Sequence, residues 1–250
     1  MSDPFAITAL VALTFVAAGF VKGVIGMGLP AVAMGLLSLV MAPASAAAAL
    51  VAPSLLTNLW QLFAGPNLAA IVRRLASMLL TAVIGTLLTI KVLTGSSASL
   101  ASGALGAILV VYGLFALSAR RFSVPANAER WLSPLVGLMT GLIAGATGLF
   151  TIPAVPYLSA LGLAKDELVQ ALGLFFSVST LALAAALTLS GNYQWVTAAS
   201  SMLAILPALL GMFIGKRMRD KLAPDAFRRC FFLGLVALGV YMFARALLHS

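Results

Sequence analysis

The chain has 250 residues, of which 62% are hydrophobic and only 8% charged, whereas a soluble domain carries about 25% charged residues. That composition excludes a soluble enzyme or binding module and points to membrane-spanning segments. The runs are long and lack the alternating polar pattern of a barrel wall, so helices are expected. The net charge of +9 is no sign of nucleic-acid binding, because the basic residues sit in short loops between apolar runs, as they do on the cytoplasmic face of membrane proteins.

In chain order, the first half reads as apolar segments at roughly 4–21, 28–42, 46–65, 74–93 and 98–119. The second half repeats the count at roughly 131–147, 149–162, 168–190, 195–215 and 226–248. A spanning helix needs about 20 residues. The second segment of each half is too short to cross unaided, which predicts a half-helix or a re-entrant hairpin. Each short segment follows the pattern Gly-x-x-x-Gly-x-x-Gly: Gly19, Gly23 and Gly26 in the first half, Gly141, Gly145 and Gly148 in the second. Matched patterns in two halves suggest duplication. Ser77-Met78-Leu79 matches Ser201-Met202-Leu203, and Gly85 matches Gly211. The expected organisation is a first repeat at 1–119, a linker at 120–130 and a second repeat at 131–250. The start, Met1-Ser2-Asp3-Pro4, has no basic region, so the first segment reads as a retained span.

The charges set a topology. Lys216, Arg217, Arg219, Lys221, Arg228 and Arg229 crowd one loop, which should be cytoplasmic. Alternation then places Lys165, Arg120, Arg121, Arg130, Arg73, Arg74 and Lys22 on the same side, leaving only Lys91 and Arg245 opposite. Both termini are expected outside. Five crossings per half make the halves upside down relative to each other, as in inverted-repeat transporters.

Glycines that weaken helices at matching places in two halves mark a transporter's binding site. The alternative is a small-residue packing face. A helix that starts within the membrane aims free N–H groups and a positive partial charge at an anion. The candidate site residues are therefore Gly23, Gly26 and Gly28 in the first break and Gly145, Thr147 and Gly148 in the second, with Lys22 as a cation. Lys22 alternatively snorkels to the interface, and Thr147 alternatively bonds its own helix. Ser54, Asn58 and Gln61 share one helix face, as do Gln170, Ser177 and Thr180. They either line the path or bond between helices. Pro53 is expected to kink its helix.

All six acids lie at ends or in loops, and the single histidine is His249. No carboxylate site for cations, metal site, cofactor or catalytic constellation is visible. With one cysteine, Cys230, no intrachain disulfide forms.

The glycine motifs GFVKGVIGMGLP at 19–30 and GLIAGATGLFTIP at 141–153, with Gly85 and Gly211-x-x-x-Gly215, resemble the sulfite exporter TauE/SafE family over nearly the whole chain. Leu29-Pro30 and Leu149-Phe150 stand where that family often has further glycines. The resemblance implies transport of sulfite, sulfonates or other small organic anions across a bacterial inner membrane. The expectation is an all-α polytopic membrane protein of two inverted repeats that exports a small anion. Rival readings are a carrier of neutral metabolites or drugs and a non-transporting scaffold. Gly103 and Gly106 are expected to pack helices either within one chain or between two copies of a homodimer.

Overall fold

The structure is a computed structural model that describes residues 4–95, 98–118, 123–193, 201–219 and 221–248. Among these residues it contains ten principal α-helices and no strand. They are α1 (Pro4–Ile25), α2 (Leu29–Leu37), α3 (Pro43–Phe63), α4 (Leu68–Thr94), α5 (Ala98–Leu117), α6 (Ala126–Thr147), α7 (Ala154–Ala160), α8 (Lys165–Leu189), α9 (Ile205–Met218) and α10 (Pro224–Leu248). Seven of them are long and apolar enough to cross a membrane: α1, α3, α4, α5, α8, α9 with the turn before it, and α10. This is a multi-pass helical membrane protein.

The short second segments are now explicit. α2 has 9 residues and α7 has 7; at 1.5 Å per residue neither reaches halfway across a hydrocarbon core of about 30 Å. α6 starts earlier than the expected 131, inside the anticipated linker. Pro125 is its N-cap, and Glu129 in its first turn favours a helix start. Residues 119–122, which include the start of that linker, and 194–200, which include the start of the ninth expected segment, lie outside the described residues.

Glycines set the helix pairs. A Cβ on Gly19 or Gly23 of α1 would strike the backbone of Ala208 or Met212 in α9, and one on Gly211 or Gly215 would strike Val16 or Phe20 in return. Gly137, Gly141 and Gly145 of α6 meet Met78, Ala82 and Thr86 of α4 in the same way. Residue numbers rise together in both pairs, so each runs parallel. With lipid tails as apolar as the side chains, such close van der Waals approach is what holds the helices together. α5 and α10 pack antiparallel through Gly106 on Gly239 and Gly113 on Phe232. The small-residue face at Gly103 and Gly106 is thus spent within the chain. α3 and α8 also cross antiparallel, with Ser54 by Thr180 and Gly65 by Gln170. Exchanging the two five-helix halves maps this set of pairs onto itself.

The ends fall into two groups. α3 ends beside the start of α8, where Asn67 Nδ2 donates to Glu167. α4 starts beside the start of α6, where Arg74 holds Glu129 at 2.6 Å. The short helices point to opposite ends. α7 finishes near Arg74, which donates to the Leu161 carbonyl. α2 finishes at a hollow lined by Ser38, Ser99 and Arg245, beside the start of α5 and the end of α10.

Pro53 sits inside α3 and cannot donate to Ala49, four residues back. Ser201 fills the gap: its hydroxyl donates to Ala49 O and accepts from Ala52 N, both at 3.0 Å. A side chain from the second half thereby repairs a helix break in the first.

Candidate functional site

Both glycine patterns end a helix in the same way. Gly26 (φ 88) and Gly148 (φ 74) lie in the left-handed region, where only glycine is unstrained. The N–H of Gly26 bonds Lys22 O and that of Gly148 bonds Ala144 O, closing the last turns of α1 and α6. The first two glycines of each pattern are packing faces and the third is the break. Gly28, also left-handed at φ 103, then caps the start of α2.

The hydrogen bonds show which N–H groups near these glycines are already engaged. The N–H groups of Gly26 and Gly148 are committed to their own helices and do not face a guest. Around the first break the N–H groups of Gly28 and Leu29 have no partner among the described residues, and Pro30 has no N–H to offer.

Lys22 lies inside the last turn of α1 rather than in a loop, and it does not snorkel: it is 4% exposed. Its ammonium donates to Thr57 Oγ1 at 2.9 Å and to Asn58 Oδ1. Among the described residues the one ion pair is that of Arg74 and Glu129, so Lys22 is a buried cation held by neutral oxygens. An ammonium has three donors, and these bonds use two. Asn58 Nδ2 continues to Ser54 Oγ at 3.2 Å, and Ser54 Oγ lies 3.5 Å from Thr180 Oγ1. A polar thread thus crosses from α1 through α3 to α8, and all of its members are buried.

The other expected residues divide by what they touch. Gln61 Nε2 donates to Gly26 O at 2.8 Å, while its Oε1 is buried without a partner; it therefore belongs to the first break. Gln170 is wholly engaged in structure: its amide donates to Leu62 O and Gly65 O, and its oxygen accepts from Asn67 N. It holds the end of α3 against α8. Ser177 donates to Gly173 O within α8. Thr147 donates to Ile143 O and accepts from Leu149 N, fastening the end of α6. Gly145 and Gly23 are contact points for α4 and α9. Gly148 lies against Met34 of α2 and Ala47 of α3.

Three residues near the breaks were not among the expected site residues. Thr57 shares Lys22 with Asn58. Ser201 repairs Pro53. Arg219 donates through Nε to Val24 O at 2.8 Å, placing a guanidinium beside Gly26 where α1 stops. The signal for Thr57 was available, since it neighbours Asn58 on the same helix; those for Ser201 and Arg219 depend on which helices become neighbours. Among the described residues no group of three His, Cys, Asp or Glu stands together to hold a metal ion.

Chemically, the thread offers a buried positive charge with hydroxyl and amide neighbours, and no buried carboxylate among the described residues competes for that charge. Such an arrangement has donors for an anion and no competing negative charge. Comparison with curated proteins and with solved structures finds no match. The family model described as sulfite exporter TauE/SafE matches residues 11–242, and with nearly the whole chain so matched, the protein belongs to the sulfite exporter TauE/SafE family.

Proposed function

We propose that this protein exports a small sulfur-containing or organic anion, of the sulfite or sulfonate class, by alternating access. Membership of an exporter family supports transport. The observation that carries the anion is Lys22, a buried ammonium without a carboxylate among the described residues. An ionisable side chain buried within a membrane protein is costly unless its charge is met. An anionic guest on its third donor offsets that cost by neutralising the charge, and a neutral guest does not. Asn58 and Thr57 orient the ammonium, while Ser54 and Thr180 extend polar contacts toward α8.

The alternating-access part rests on a reading of the halves as inverted repeats. The swapped pairing of α1 with α9 and α6 with α4, and the antiparallel α3–α8 and α5–α10 pairs, support it. Rocking one repeat against the other would open the buried thread to each side in turn. The location is the bacterial inner membrane, with both termini on the periplasmic side, as the concentration of Lys and Arg in one set of loops supports.

The test is sulfite efflux from proteoliposomes loaded with wild-type protein or with Lys22→Gln. The glutamine keeps hydrogen-bonding capacity and removes the charge. A fall of about tenfold or more in rate, matching the loss of a charge-assisted bond of about 1.5–3 kcal/mol, is expected. Unchanged rate and affinity would remove Lys22 as the charge partner.

A further inference from the structure

Between α6 and α7 the chain runs irregularly, and its donors can be accounted for one at a time. Gly148 N bonds Ala144 O and Leu149 N bonds Thr147 Oγ1. The next three N–H groups, those of Phe150, Thr151 and Ile152, have no acceptor among the described residues. Pro153 has no N–H. The hydroxyl of Thr151 is also buried without a partner. Phe150 and Thr151 are fully buried and Ile152 nearly so. None of these donors belongs to α7, which begins at Ala154.

Buried backbone donors are almost always paired, directly or through a bound molecule. Four unpaired donors in three successive residues suit a guest rich in acceptors. Successive N–H groups curved around one point form an anion-binding concavity. A single water offers two lone pairs, whereas a sulfite or sulfonate group offers three oxygens. The stretch also connects to the Lys22 thread. The Phe150 ring packs on Phe176 with centroids 5.5 Å apart, and Phe176 O accepts from Thr180, the far end of the thread.

We infer that residues 150–152 form an oxyanion seat for the sulfur-oxygen head of the cargo, distinct from the Lys22 ammonium. The inference rests on the reading of the cargo as a small anion and specifies the part of it that is recognised. The seat holds an oxyanion by backbone N–H groups and one hydroxyl, without a cation, and it selects an acceptor-only group over an amine or an alcohol.

The test is calorimetric titration of purified full-length protein with sulfite, using wild type, Thr151→Val, Thr151→Ser and Lys22→Gln, with thermal unfolding of each measured alongside. Valine has nearly the shape of threonine and lacks the hydroxyl. Thr151→Val should weaken sulfite binding about tenfold or more, as expected for a bond to a charged group, and Thr151→Ser should stay near wild type. If the hydroxyl serves no guest, Thr151→Val removes an unsatisfied buried polar group. It would then leave sulfite affinity unchanged and raise thermal stability, which overturns the seat. Loss of binding in Lys22→Gln alone also overturns the seat and leaves the Lys22 reading standing. Loss in Thr151→Val alone upholds the seat and removes Lys22. No binding of sulfite by wild type at millimolar concentration overturns both.

Discussion

The parallel contact of α4 with α6 predicts a measurable coupling between Gly85 and Gly141. A Cβ added to Gly85 would lie 2.6 Å from Leu138 O and 2.7 Å from Leu142 N. Ordinary carbon–oxygen approach is about 3.3 Å or more, so Gly85→Ala falls short by roughly 0.7 Å, and the obstacle is helix backbone that cannot rotate aside. The helices must part. Overpacking of this kind costs about 1–3 kcal/mol, against a helix-propensity gain of about 1 kcal/mol on replacing glycine. The expected net loss is up to about 2 kcal/mol. Gly141→Ala meets the same wall from the other side, where the added Cβ overlaps the Ala82 carbonyl oxygen more closely than Gly85 meets anything, and should cost at least as much. Because parting the helices for one methyl makes room for the other, the double variant should lose less than the sum by about 0.5 kcal/mol or more. Gly234→Ala is the control. A Cβ there meets nothing within 4 Å, so it should gain up to about 1 kcal/mol. The assay is reversible unfolding of purified protein in detergent, followed by helical signal. If Gly85→Ala is as benign as Gly234→Ala, or if the pair is additive, α4 and α6 do not meet as described.

Three other expectations follow from single contacts. Ser201→Ala leaves Ala49 O and Ala52 N without their partner and should cost about 1–3 kcal/mol in the same unfolding assay, whereas Ser201→Thr, which retains a hydroxyl, should cost less. Gly26→Ala has open space, with Arg219 Nη2 nearest at 3.7 Å; its cost is backbone strain alone, about 1–2 kcal/mol. Gly148→Ala carries the same strain plus a 2.8 Å approach to Met34 Cε, the mobile tip of a side chain, so it should exceed Gly26→Ala by only a small margin in thermal unfolding.

What the sequence made legible is what depends on neighbours along the chain. The apolar runs and the shortness of the second segment in each half are local, and α1 to α10 follow the expected order. The glycine patterns show where locality ends. Packing face and helix break both call for a missing Cβ, so a glycine in the sequence carries no label distinguishing them. The structure divides the roles by position: Gly19 and Gly23 meet α9, Gly141 and Gly145 meet α4, and Gly26 and Gly148 turn left-handed. The same limit applies to polar side chains at helical spacing. Gln61 and Gln170 both read as path-lining amides. Gln170 lies where α3 ends and is consumed by the loose carbonyls of Leu62 and Gly65. Gln61 keeps one buried oxygen unpaired beside the first break. Nothing near either residue in the chain separates the two outcomes, because the partner carbonyls come from elsewhere. Thr151 is the converse case. It lies between a glycine that stops one helix and a proline that precedes the next, and in such a stretch N–H groups lose their helical acceptors whatever packs around them. A hydroxyl placed there adds a fourth donor to a set that already lacks acceptors. That arithmetic is local, and it is the ground on which the oxyanion seat at residues 150–152 is proposed.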